Sequence, residues 1–120
     1  MKHLLVCSAG IVRSREAVFV AYELADFYQI HDYEADYFGA NSGQNPNPSV
    51  FEKYDLIIAM DELNKTDLMK KFNIPEEKIR VLGIPDEHSR SESKLRKILD
   101  DVLLRKLKPI FIELAESTKK

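Results

Sequence analysis

Cysteine is nearly absent from this chain: Cys7 is the only one among 120 residues. An internal disulfide is therefore impossible, as is a zinc site built from several cysteines or a redox relay between two thiols of one chain. Long apolar runs are missing too. None approaches the roughly 18 residues of a membrane span. The apolar stretch Leu4 to Cys7 behind Met1-Lys2-His3 is too short for a signal-peptide core. A cytoplasmic protein with no membrane association is expected. Neither sign of charge dominates, since 18 Lys and Arg face 20 Asp and Glu for a net charge of −2. That balance supplies no basic field, so no nucleic acid is expected as a partner. The histidines, His3, His31 and His88, are scattered without metal-ligand spacing, and neither metal nor cofactor is expected.

What is present reads as one folded domain over residues 1–120, with 44% hydrophobic and 32% charged residues. Residues 2–7 form a short apolar run closed by Ser8-Ala9-Gly10, which predicts a buried strand and a turn. From Ser14 to about Tyr28, Ala17, Val18, Ala21, Leu24, Ala25 and Tyr28 recur at helical spacing. Phe19, Val20, Tyr22 and Phe27 widen that face and predict heavy burial. Residues 33–38 are a second, acid-bearing strand. Gly39 to Ser49, with two Gly, three Asn and two Pro, is a loop. Residues 54–60 are the next strand. A helix follows from Asp61 to about Phe72, with Leu63, Leu68, Met69 and Phe72 inward and Asn73-Ile74-Pro75 as its stop. Residues 78–83 form the last strand. A helix from about residue 91 carries Leu95, Ile98, Leu99, Val102, Leu103, Leu107, Ile110, Phe111 and Leu114 in period, with a kink or short break expected at Pro109. The cations of Arg105-Lys106-Leu107-Lys108 belong to its wet face.

Alternating strands and helices predict an α/β fold of three layers, in which a short, mainly parallel sheet of about four strands is flanked by helices. Ligands of such sheets bind beyond the carboxyl ends of the strands, where Cys7, Asp61 and Asp86 fall.

Cys7-Ser8-Ala9-Gly10-Ile11-Val12-Arg13-Ser14 places a cysteine, five small or slim residues and an Arg-Ser pair between a strand and a helix. A loop of this length can curl so that successive N–H groups point inward as a nest for an oxyanion. The helix start adds free N–H groups and a positive dipole end. Arg13 closes the ring by gripping two oxygens. Donors around a sulfur favour its thiolate, and Ser14 is positioned to donate to it and to cap the helix. A tetrahedral dianion suits such a site, with Cys7 poised for in-line attack. The competing reading is an inert buried cysteine.

At these residues the chain resembles the low-molecular-weight protein tyrosine phosphatase family, which carries Cys-x5-Arg-Ser at the end of its first strand. Asp55-Leu56-Ile57-Ile58-Ala59-Met60-Asp61-Glu62-Leu63-Asn64, with Asp67-Leu68 after it, is similar to the family's strand ending in Met-Asp-x-x-Asn. The resemblance covers Met1 to about Asp86. Gly10 stands where the family often has a left-handed Asn, a conformation Gly adopts without strain. Val12 replaces a common second cysteine, so an oxidised Cys7 has no disulfide partner in the loop. The middle of the chain is shorter than the family's, and the usual Asp-Pro pair is replaced by Ile84-Pro85-Asp86-Glu87-His88. These departures resemble a compact branch of predicted phosphatases.

The resemblance implies a phosphomonoester hydrolase, specifically a protein tyrosine phosphatase working through a phosphocysteine. Its substrate is a phosphorylated protein or a small phosphate ester. The leaving oxygen needs a proton, and Asp86 is the choice of acid and later of base, with Glu87 and Glu92 as alternatives. Asp61 is implied to hydrogen-bond the phosphate loop and can also cap its own helix. His88 either lines the pocket or is a surface histidine, and Ile11 either walls the pocket or packs on the sheet. Arg90 either favours an acidic substrate or is solvated. Two other functions fit the sequence. One is arsenate reduction with an external thiol. The other is phosphate or phosphoprotein binding without catalysis.

Overall fold

In the computed structural model of the chain, which describes residues 1–8, 13–84 and 93–118 (side chains at 97–117 in the last stretch), four strands alternate with three helices. The strands are β1 (Lys2–Cys7), β2 (Glu34–Gly39), β3 (Leu56–Ala59) and β4 (Ile79–Val81). The helices are α1 (Arg13–Phe27), α2 (Glu62–Phe72) and α3 (Ser93–Thr118), with 3-10 turns at Pro48–Lys53 and Glu76–Lys78. The sheet is wholly parallel in the order β2-β1-β3-β4. Its register brings Cys7 opposite Gly39, Val6 opposite Ala59, and Ala59 opposite Val81. The carboxyl ends of all four strands thus finish at one edge.

Both faces of the sheet are covered, which is why β1 and β3 read as unbroken apolar runs. Leu5, Cys7, Ile58 and Met60 face α1 and α3 in one core, with Leu99, Leu103, Leu107 and Phe111. Leu4, Val6, Ile57 and Ala59 point the other way, against Phe51, Leu68 and Phe72. The expected three-layer α/β fold is what the chain adopts. At the amino ends of the strands His3 is buried, 2.9 Å from the Tyr33 hydroxyl through its Nδ1, with Phe111 edge-on to both rings. Burial lowers its pKa to about 4.

Several expectations are corrected. Phe19, Tyr22 and Phe27 are not heavily buried but 54%, 43% and 75% exposed, because among the described residues α1 packs mainly on the sheet and α3. Tyr22 has a separate reason to stay outside: its hydroxyl accepts the Ala35 N–H on the edge strand β2 at 3.0 Å. Leu63 points outward, in the first turn of α2, and Ile98 is likewise exposed. The acids of β2 fit an edge strand: Glu34 is 3.5 Å from Lys2 Nζ, and Asp36 accepts the Tyr54 hydroxyl at 2.7 Å. No break occurs at Pro109, and α3 runs through it. Proline removes the N–H that would bond the Arg105 carbonyl, but both residues are exposed, so water can serve that carbonyl. The cations Arg105, Lys106 and Lys108 are exposed, whereas Leu107 between them is buried. Left-handed Asn73 ends α2, its N–H bonded to the Leu68 carbonyl.

Candidate active site

The parallel sheet delivers Cys7 to its carboxyl edge as the last residue of β1. Its backbone is locked there: the Cys7 carbonyl accepts the Ala40 N–H at 2.8 Å, and the Ser8 carbonyl accepts the Asn41 N–H at 2.7 Å. The chain returns as α1, whose first two described residues are Arg13 and Ser14. Ser14 Oγ lies 3.1 Å from Cys7 Sγ, both side chains buried. A negative sulfur would take the hydroxyl as its donor. Ser14 lies inside α1, not at its cap as the sequence suggested.

Arg13 is the largest fully buried side chain described, 1% exposed. It is turned inward. NH1 donates to Asp61 Oδ2 at 2.9 Å and to the Ile84 carbonyl at 2.8 Å. A buried guanidinium needs such partners, since an unpaired charge in the interior costs several kcal/mol. Asp61 comes from the end of the neighbouring strand, as N-cap of α2, where its Oδ1 accepts the Asn64 N–H at 2.8 Å. Capping and contact with the loop arginine are thus combined in one carboxylate.

Asn64 completes the group and is fully buried. An ionised Asp61 can only accept and the Ser8 N–H can only donate, which leaves one orientation for the amide between them. Nδ2 then donates to Asp61 Oδ1 at 3.0 Å, and Oδ1 accepts from Ser8 Oγ at 3.0 Å and from the Ser8 N–H at 3.2 Å.

Of the residues named from sequence, Cys7, Ser8, Arg13, Ser14 and Asp61 are thereby joined by direct contacts through Asn64 and the backbone. Ala9, Gly10, Ile11 and Val12 lie outside the described residues. So do Asp86 and His88, with the alternative acids Glu87 and Glu92 and with Arg90. Two participants carried no assigned role in the sequence reading. Asn64 stood inside a quoted motif, three residues after a capping Asp, and that spacing was the available signal. The Ile84 carbonyl is a backbone group, and no residue type could have announced it.

Among the described residues this arrangement gathers a thiol, a hydroxyl and a pinned guanidinium where a parallel sheet receives its ligands. No protein-family model matches the chain, and no curated protein matches its sequence. Solved structures do. A protein tyrosine phosphatase from Entamoeba histolytica is similar at a TM-score of 0.81 and 22% identity, over 98% of this chain and 99% of that one. The tyrosine phosphatase Wzb from Escherichia coli K30, solved with phosphate, is similar at 0.76 and 14%, over 94% and 97%. The YwlE arginine phosphatase, YwlE being a Bacillus subtilis protein, is similar at 0.66 and 15%, over 100% and 97%, in a variant with a phosphorylated active-site serine. The chain has the fold of the low-molecular-weight protein tyrosine phosphatases.

Proposed function

We propose that this chain is a cysteine-dependent phosphomonoester hydrolase acting on phosphotyrosine in proteins. One observation carries the reading: the lone thiol, at the carboxyl end of a parallel strand, lies 3.1 Å from Ser14 Oγ at the start of a helix whose first arginine is buried and anchored. An inert core cysteine would have no use for a buried hydroxyl and a buried cation within seven residues of it. The similar structures support the same reading, since their names specify tyrosine or arginine phosphatases.

In this mechanism Cys7 Sγ attacks phosphorus in line, and the S–P bond forms as the bond from phosphorus to the ester oxygen breaks. Arg13 and the N–H groups of residues 8–14 hold the three non-bridging oxygens as charge develops. Asp86 gives its proton to the departing oxygen. Water then attacks the phosphocysteine, passing a proton to Asp86. The sulfur leaves as thiolate, and inorganic phosphate is released. Asp86 is assigned from its place just after the last strand, with Glu87 and Glu92 as rivals. Nothing in the scheme calls for a metal or an organic cofactor.

Hydrolysis of aryl phosphates with graded leaving groups tests the reading. Wild type is expected to turn over, and Cys7→Ser to lose turnover while still binding inorganic phosphate. Asp86→Asn should slow the poorest leaving groups most. Full activity in Cys7→Ser would sink the phosphatase assignment, and an Asp86→Asn variant equal to wild type across leaving groups would remove Asp86 as the acid. Phosphoarginine is the second substrate reading, on the similarity to YwlE. Relative kcat/KM for phosphotyrosine and phosphoarginine peptides decides between them.

A further inference from the structure

We infer that Asn64 is a positioning residue for the phosphate loop, tying the loop's first residue to the carboxylate that holds its arginine. The inference rests on the phosphatase reading for what the loop does. Its basis is the hydrogen-bond set of one side chain. Asn64 sits in the first turn of α2, where asparagine is a mediocre helix former, and it is buried with no exposed surface. Burying an amide costs about 1–3 kcal/mol unless its polar atoms find partners. All of them do. The amide oxygen takes Ser8 Oγ at 3.0 Å and the Ser8 N–H at 3.2 Å, and the amide nitrogen meets Asp61 Oδ1 at 3.0 Å. Asp61 Oδ2 in turn receives Arg13 NH1.

The consequence is geometric. Ser8 directly follows the nucleophile, and Arg13 opens α1. Both are fastened to the first turn of α2, Ser8 through Asn64 and Arg13 through Asp61. The spacing between the sulfur and the guanidinium is therefore referred to one turn of α2. In-line transfer is sensitive to such spacing, since a displacement of about 1 Å can cost on the order of a hundredfold in rate. Asn64 is fully buried and offers a substrate no surface, so it acts through Ser8 and Asp61.

The test uses p-nitrophenyl phosphate and the full chain. Asn64→Ala should lower kcat about tenfold or more, with KM changed by less than about threefold. Ser8→Ala, which removes only the hydroxyl, should lower kcat a few-fold in wild type and have no further effect beside Asn64→Ala, because its partner is already gone. Asn64→Asp keeps the shape and the acceptor but sets a carboxyl against Asp61. Its deficit should shrink as the pH is lowered and the introduced carboxyl gains a proton to donate. That variant also carries the test if the alanine variant fails to fold. Three results would overturn the inference: kcat of Asn64→Ala within about twofold of wild type, losses in the double variant that multiply, or an Asn64→Asp deficit constant with pH. A purely structural asparagine would give the last two. Should wild type turn over no aryl phosphate, the phosphatase reading fails by itself. The positioning role is then read in inorganic phosphate binding, which Asn64→Ala should weaken about tenfold and which, left unchanged, refutes it.

Discussion

Arg13 NH1 and Asp61 Oδ2 meet at 2.9 Å, with the arginine side chain 1% exposed and the carboxylate 25% exposed. The guanidinium has been taken almost wholly out of water, so its stability depends on that countercharge. Asp61→Asn keeps the size and the cap while removing the charge. The expected loss is about 3 kcal/mol, the lower end for a broken buried pair because the carboxylate is partly solvated. Asp61→Ala also loses the bond to the Asn64 N–H and should cost about 1 kcal/mol more. Urea midpoints at constant m-value measure both. An Asn variant as stable as wild type would mean that the arginine does not depend on that countercharge.

The buried His3 makes stability depend on pH. Its folded pKa of about 4 lies below the ordinary 6.5, so the unfolded chain binds the proton more readily. Stability is therefore intact above about pH 6.5 and falls as the pH drops toward 4, by up to ~3 kcal/mol from this residue. His3→Gln can still bond the Tyr33 hydroxyl but does not titrate. Comparing the two proteins by urea unfolding at pH 7 and pH 4.5 isolates the effect. The wild type should lose more stability than the variant, and parallel losses would rule His3 out as the cause.

Ser14 Oγ, 3.1 Å from Cys7 Sγ, bears on the rate rather than the fold. A hydrogen bond to a charged group is worth roughly 1.5–3 kcal/mol. If the sulfur is negative before attack, Ser14→Ala should slow aryl phosphate hydrolysis about tenfold to a hundredfold. Inorganic phosphate should still bind. Steady-state kinetics and calorimetry report the two quantities separately, and an unchanged kcat would show that the hydroxyl is a packing feature only.

Pro109 offers a gain. It lies on the exposed side of α3, where the Arg105 carbonyl lacks a backbone donor. Pro109→Ala supplies that donor and a better helix former, against some entropy returned to the unfolded chain. Net stabilisation of about 1–2 kcal/mol is expected, seen as a higher melting temperature. A lower one would indicate that proline at this position helps Leu107, Ile110 and Phe111 reach the core.

Much of this architecture was legible in the residues, for identifiable reasons. β1 and β3 are buried on both faces, and an unbroken apolar run is their signature. β2 was obscured by Glu34 and Asp36, which an edge strand tolerates because one flank meets water. Helix α1 shows the limit of apolar patterning: Phe19 and Phe27 follow helical spacing, yet both stay more than half exposed. At the site, Cys7, Ser8, Arg13 and Ser14 could be singled out together because they stand in one contiguous stretch, while Ala9 to Val12 lie outside the described residues. Asp61 was readable from its place after a strand. For Asn64 the spacing from Asp61 was the one signal, and it does not announce that the side chain is buried. The Ile84 contact is made by main chain and leaves no trace in residue identity.

The bonds that hold Arg13 reach forty-eight residues along the chain to Asp61 and seventy-one to Ile84. Such distant closures carry a large loop entropy and come late as a polypeptide condenses. A nascent or partly folded chain can therefore possess β1 and α1, thiol included, without a fixed guanidinium. Chemical competence should arrive only when β4 docks, so refolding followed by catalysis ought to lag refolding followed by helix content.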